Sequence, residues 1–315
     1  MSSRVRIFAP ATVANVACGY DIMGFAVHEP GDEVEMVLHE TGDVTITDIF
    51  GDKGKLPRQA DRNTVGIVVQ HYLSALNLPY GASITLHKNM PLGSGLGSSA
   101  SSAVAGLFAI NELIRQVQPE KAMSRKELLP IAMEGERLAC GAAHADNVAP
   151  SLMGGFVLVR SYHPLDVIQI NTPDELYCTL IHPHLEVNTK DARNLLKKNL
   201  PMEDAIKQWG NTAGLIAGLL QADYELIGRS IEDVIVEPVR SILIPGYDTV
   251  KAAALAAGAL GCGISGSGPS MFALSRGKAR AEAVATAMQQ AFKQLSIDGE
   301  VYVSAINSQG PQIKN

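Results

Sequence analysis

The stretch that most limits how this chain can fold is Lys88 to Arg115, KNMPLGSGLGSSASSAVAGLFAINELIR. It opens at the end of an alternating run, Ser83, Ile84, Thr85, Leu86, His87 and Lys88, whose period of two predicts a half-buried strand. Three glycines and three serines then crowd into Gly93 to Ser99. Beyond them apolar residues fall at Ala100, Ala103, Val104, Leu107, Ile110 and Ile114, the spacing of one helical face. A Gly/Ser loop therefore feeds a helix N-terminus, where unpaired N–H groups and the positive end of the dipole favour an anion. Glycines let backbone approach a phosphate closely, and serines add hydroxyl donors. The plainer alternative, a glycine turn with a serine cap, needs fewer of both. No Gly-Lys-Ser/Thr closes the loop, so it is not a Walker A sequence.

Composition narrows the partners. The chain has 315 residues, 46% hydrophobic, enough for a large core in two domains. A net charge of −6 without a long basic run argues against nucleic acid as a partner. No apolar run reaches spanning length, so no membrane partner is expected. Val16-Ala17-Cys18 follows a short apolar run, but Pro10 and Asn15 interrupt it, and a secretory signal is not expected. Cys18, Cys140, Cys178 and Cys262 are widely spaced and read as reduced thiols of a cytoplasmic protein.

Strands are predicted at 4–8 and 33–38, with Ala9 to Gly24 between them too broken by Pro and Gly for regular structure. Thr64–Leu76 reads as a helix. Ser124 to Ala139 is another, started by a capping box of Ser124 and Glu127. Cys140 to Pro150 is expected to be irregular. Strands near 156–160, 167–170 and 177–181 follow. Helices are then expected at about 202–221, 223–235 and 247–260, a strand at 271–274, a helix at 278–294 and a strand at 301–306. This mixed order is α+β, divided into an N-terminal domain at 1–165 and a C-terminal domain at 166–315.

Gly261 to Ser270, GCGISGSGPS, contains a literal G-x-G-x-x-G at Gly261, Gly263 and Gly266. A dinucleotide site needs a strand before it and a helix after it; here a predicted helix precedes and a strand follows. What remains is a loop built for close backbone approach, to a ligand or to another loop. Singly, Glu136, His144, Asp146 and Asn147 read as a surface acid, a structural histidine and turn residues. Beside an anion-binding loop they suit phosphoryl transfer, which needs a magnesium ligand, a positioned hydroxyl acceptor and charge neutralisation. Arg193 and Arg240 read singly as solvated arginines, and together they can pair with a carboxylate.

In order, APATVANVACGYDIMG at 9–24, PLGSGLGSSAS at 91–101 and GISGSGPSMFAL at 263–274 resemble the three motifs of the GHMP small-molecule kinases. The spacing fits across nearly the whole chain. Asn15 with Asp21, His144-Ala145-Asp146-Asn147, Thr189 with Arg193, and Glu237-Pro238 with Arg240 are most similar to the branch that phosphorylates L-homoserine. Tyr20, where that branch more often has Phe, is a small departure. The resemblance implies a two-domain fold, ribosomal-protein-like then ferredoxin-like, and transfer of the ATP γ-phosphate to the side-chain hydroxyl of L-homoserine. It implies an ATP site from Pro91, Leu92, Gly93, Ser94, Gly95, Leu96, Gly97, Ser98, Ser99, Ala100 and Ser101, with Lys88 and with Asn63 near the adenine. Mg²⁺ would be held by Glu136 and Ser99 or Ser98. Asn15, Asp21, His144, Asp146, Thr189, Arg193, Arg240 and Gly266 would form the acceptor pocket. Asp146, Asn147 and Glu136 would stand nearest the chemistry. A zwitterionic acceptor needs both signs of charge around it, since unpaired buried charge is costly. A homodimer is expected from the family alone. Two alternatives stay open: a family member acting on a mevalonate-like or sugar-like acceptor, and a non-catalytic regulator on the same fold.

Overall fold

The computed structural model describes residues 4–314, except 41, 142–143, 186–194 and 197–198. The N-terminal strands are β1 (Arg4–Ala14), β2 (Met23–His39), β3 (Val44–Phe50) and β4 (Gly81–His87), with α1 (Thr64–Ala75) between the last two. Helices α2 (Ser98–Val117), α3 (Arg125–Cys140) and α4 (Ala145–Met153) follow, then β5 (Phe156–Tyr162), β6 (Leu165–Ile170) and β7 (Leu176–Pro183). The remaining elements are α5 (Met202–Gln221), α6 (Tyr224–Ser230), α7 (Glu237–Arg240), α8 (Tyr247–Ala256), β8 (Gly261–Ile264), β9 (Met271–Arg276), α9 (Lys278–Gln294), β10 (Gly299–Ala305) and β11 (Gln312–Lys314).

One sheet has the order β11-β1-β2-β4-β3, with β5 beside the start of β2 and β6 beside β5. The other has the order β10-β7-β9-β8. The final strand thus returns to the first sheet. β3 and β4 are a parallel pair, which is why a helix has to cross between them. In β2, Val34, Met36 and Leu38 point inward while Glu33, Glu35 and Val37 stay half-exposed, the alternation of a one-sided strand. The apolar face expected for α2 is fully buried from Ala100 to Ile114 and packs with α1, α3 and the first sheet in one core. A second core, including Val13, Phe25, Phe156, Leu180 and Phe272, joins the two sheets. A third lies between the second sheet and α8 and α9.

Four expectations are corrected. Ala9–Ala14 is strand, not irregular: β1 carries Pro10 at a register shift between Pro10 and Thr12, where a missing N–H does least harm. Residues 145–153 form α4. Pro150 cannot donate to the Asp146 carbonyl, and Gly24 closes on that oxygen so tightly that a Cβ there would lie 1.9 Å away. The helix expected at 223–235 ends at Ser230, and further on the Asp233 side chain takes the Ile235 and Val236 amides for itself, so the chain turns where the helix was expected to continue. Gly261–Ile264 is a strand paired with β9, and the helix before it stops at Ala256. A helix therefore precedes G-x-G-x-x-G and a strand follows, as expected, but the first two glycines lie within β8 itself, so this is a hairpin and not a dinucleotide turn.

Candidate active site

The three glycine-bearing segments meet around one cleft of about 460 Å³. Gly93, Gly95 and Gly97 have φ of 68°, 77° and 67°. Left-handed residues at every second position turn successive N–H groups toward one side, an anion-binding concavity. Gly97 is the N-cap of α2, so this concavity opens onto the positive end of a 20-residue helix. The loop is braced from both sides. Thr12 N–H donates to the Leu96 carbonyl at 3.0 Å, and Ser270 N–H donates to the Ser94 carbonyl at 3.2 Å. Ser265 Oγ donates to the Gly95 carbonyl at 2.8 Å. A Cβ on Gly95 would sit 2.5 Å from the Ser265 carbonyl oxygen. The third glycine loop, with Gly266 itself at the cleft, is built for approach to the first.

Ser98 and Ser99 point different ways. Ser99 Oγ donates to Glu136 Oε1 at 2.6 Å, and Glu136 is 3% exposed on α3. Ser98 Oγ instead meets Lys88 Nζ at 2.5 Å and Asp32. Lys88 Nζ is buried in an ion pair with Asp32 and also donates to the Ser98 carbonyl and to Ser102 Oγ at 2.7 Å. Its three protons are thus taken up at the root of the loop, beneath the phosphate concavity. Asp32 completes the arrangement by accepting the Asn89 and Met90 amides on Oδ1.

The acceptor side is assembled from distant segments. The turn after β1 has Asn15, Val16, Ala17 and Asp21 at positive φ, an unusual run for residues with a Cβ. Asn15 secures it: Oδ1 accepts the Asp21 N–H at 3.0 Å and Nδ2 donates to the Gly266 carbonyl at 2.7 Å. His144 Nδ1 lies 3.7 Å from Asp21 Oδ1. His144 stands at the N-cap position of α4, without a side-chain capping bond, and Asp146 and Asn147 occupy its first turn, where the helix dipole favours negative charge. Asp146 is 3% exposed. Thr12 Oγ1 donates to Asn147 Oδ1 at 2.7 Å, and a Cβ on Gly97 would strike that pair. Arg240 reaches into the same cleft from α7, donating to the Gly266 carbonyl at 3.2 Å with its guanidinium 5.1 Å from the Tyr20 ring centre. Acidic and basic groups therefore face one volume.

Of the residues expected at a site, Asn15, Asp21, Asn63, Lys88, Leu92 to Gly95, Gly97 to Ser99, Glu136, His144, Asp146, Asn147, Arg240 and Gly266 line this cleft. Leu96 and Ala100 are fully buried in the cores. Ser101 Oγ donates to the Ala9 carbonyl at 2.7 Å, and Pro91 only leads the chain into the loop. Asn63 caps α1, accepting the Val65 N–H at 3.0 Å. Thr189 and Arg193 lie outside the described residues. Sequence reasoning missed Asp32, Thr12, Ser102, Tyr20 as a guanidinium partner, and Arg62 with Leu56 and Pro57 on the far wall. Cys18, Cys178 and Cys262 are buried thiols; burial pushes Cys18 and Cys262 up to about 12 and Cys178 upward too. Among the described residues no helix is long and apolar enough to cross a membrane.

A family model for the GHMP kinases N terminal domain matches residues 63–155, and one for the GHMP kinases C terminal matches 215–294. A homoserine kinase of Chloroherpeton thalassium is 51% identical, over 97% of this chain and 98% of its own. A homoserine kinase of Chlorobaculum tepidum is also 51% identical, over 97% of each chain. The crystal structure of homoserine kinase from Cytophaga hutchinsonii is 58% identical with a TM-score of 0.96, covering 100% of this chain and 98% of that one.

Proposed function

The chain belongs to the GHMP kinases and, within them, to the homoserine kinases, and we propose how its residues divide the work of moving the ATP γ-phosphoryl group to the side-chain hydroxyl of L-homoserine. The observation that carries the division is the meeting, in one cleft, of an N–H concavity at a helix start with a pocket of mixed charge. Phosphoryl transfer asks a protein for little covalent chemistry; alignment and charge stabilisation supply the rate. Backbone N–H groups of Gly93 to Ser99 cradle the phosphates, and the wall at Leu56, Pro57 and Asn63 borders the adenine. Lys88 acts from below, fixing the loop through Asp32 and Ser98.

The pair Ser99–Glu136 fits Mg²⁺. Both donors are hard oxygens 2.6 Å apart, and that ion takes one or two protein ligands and completes its shell with phosphates and water. Held there, the ion would supply neutralisation of phosphate charge. Asp146 and Asp21 hold the acceptor's ammonium, with His144 beside Asp21. Arg240 holds its carboxylate, and Thr189 and Arg193 are assigned to the same pocket on sequence alone. Asn147, bonded to Thr12, keeps the loop and the acceptor pocket in register. The hydroxyl proton passes to a γ-phosphate oxygen during transfer, so no strong base is required. A cytoplasmic homodimer completes the reading, carried by the resemblance.

The test is ADP release with L-homoserine, mevalonate, galactose or no acceptor. Release that depends on L-homoserine supports the reading. Release indifferent to homoserine, or faster with mevalonate, overturns it.

A further inference from the structure

The guanidinium in the cleft is presented by a turn whose shape is set outside the cleft. α7 is four residues long, too short to hold itself together. Asp233 gathers its leading amides. Oδ1 accepts from Ile235 and Val236 N–H, and Oδ2 accepts from Glu237 N–H, each at 2.9 Å. Oδ1 also accepts from Gln208 Nε2 at 3.0 Å. Gln208, on α5, shares that nitrogen with the Cys18 carbonyl at 3.2 Å and accepts the Val234 N–H at 3.1 Å. Thr212, one turn along α5, donates to the same Cys18 carbonyl at 2.9 Å. Asp233 and Gln208 are 7% and 9% exposed, and neither lines the cleft.

These bonds tie together two segments that both line the acceptor side of the cleft. One is the left-handed turn at 15–21, which carries Asp21. The other is the turn at 233–240, which carries Arg240. We propose that Asp233 and Gln208 are positioning residues for the acceptor: they fix the separation of Asp21 and Arg240, and so the length of zwitterion that fits between them. The proposal rests on the reading that Arg240 takes the acceptor's carboxylate. A buried carboxylate receiving four N–H donors is a stiff anchor, because each lost bond leaves a desolvated amide behind. Neither side chain touches substrate; both act through Arg240 and the motif-one turn.

The test is steady-state kinetics of the full chain with varied L-homoserine and varied ATP, with thermal midpoints recorded alongside. Asp233→Ala is expected to raise the homoserine KM roughly tenfold while the ATP KM stays within about twofold. Asp233→Asn keeps one oxygen for Gln208, Ile235 and Val236, so its effect should be smaller. In an Arg240→Ala background, Asp233→Ala should add nothing, the non-additivity of residues acting as one unit. If Asp233→Ala lowers the midpoint but moves both KM values alike, or adds its full factor to Arg240→Ala, the proposal is overturned and Asp233 is a helix cap only. If Arg240→Ala itself leaves the homoserine KM unchanged, the Arg240 reading falls and takes this proposal with it. Should Asp233→Ala not fold, Gln208→Ala carries the test: a homoserine KM raised about threefold, with ATP unaffected, supports the proposal, and no change overturns it.

Discussion

Asp146 is the residue at which two mechanisms part. It sits in the first turn of α4, buried, where the helix start favours its charge. As an ammonium partner, Asp146→Asn should raise the homoserine KM by about tenfold or more with a smaller change in kcat. A collapse of kcat with homoserine binding intact would make Asp146 the base instead. Glu136 has a different signature. Glu136→Gln should lower kcat by about a hundredfold and raise the Mg²⁺ concentration needed for half-maximal rate, and titrating the metal at saturating substrates checks both. Lys88 carries a structural prediction. Removing one partner of a buried ion pair strands the other, so Lys88→Met should cost about 3–5 kcal/mol in urea unfolding. Asp32 could not be read from spacing, because its partner lies 56 residues away and only the sheet brings them together.

At the level of elements, the phosphate loop is held by its neighbours as much as by its own glycines. Gly95→Ala would place a methyl against the Ser265 and Gly268 carbonyls at a φ that already disfavours it. The fold should survive by circular dichroism while kcat drops about a hundredfold, the cost of an ångström-scale misplacement. His182 lies behind the same loop. It is 4% exposed, shares a hydrogen bond with Ser270 Oγ at 3.1 Å, and burial lowers its pKa from the ordinary 6.5. The unfolded chain therefore takes up a proton that the folded chain resists. The stability His182 contributes is present above 6.5 and is lost as pH falls below it. Acidification from about pH 7 to about 5.5 should lower Tm, and His182→Gln should flatten that dependence. The Gly/Ser loop and α2 were legible because glycine density and a helical apolar face are local signals. α4 and β8 were not, because Pro150 and the glycines of 261–263 look like breakers until Gly24 and β9 are packed against them.

For the whole molecule, the order of the three glycine segments made the family legible, and the alternation of strand and helix made the α+β class legible. The return of the last strand to the first sheet was not, since three residues, Gln312–Lys314, carry too little pattern to be assigned. The acceptor pocket was readable only as scattered residues of both charge signs. Its geometry depends on contacts spanning most of the chain, such as Asn15 with Gly266. The most direct measurement is phosphorus NMR of the purified protein with ATP, Mg²⁺ and L-homoserine. Loss of the ATP γ-phosphate signal should be matched by a phosphomonoester signal coupled to the side-chain methylene protons of homoserine. Inorganic phosphate as the only product, or no ester unless another acceptor is supplied, would contradict the assignment.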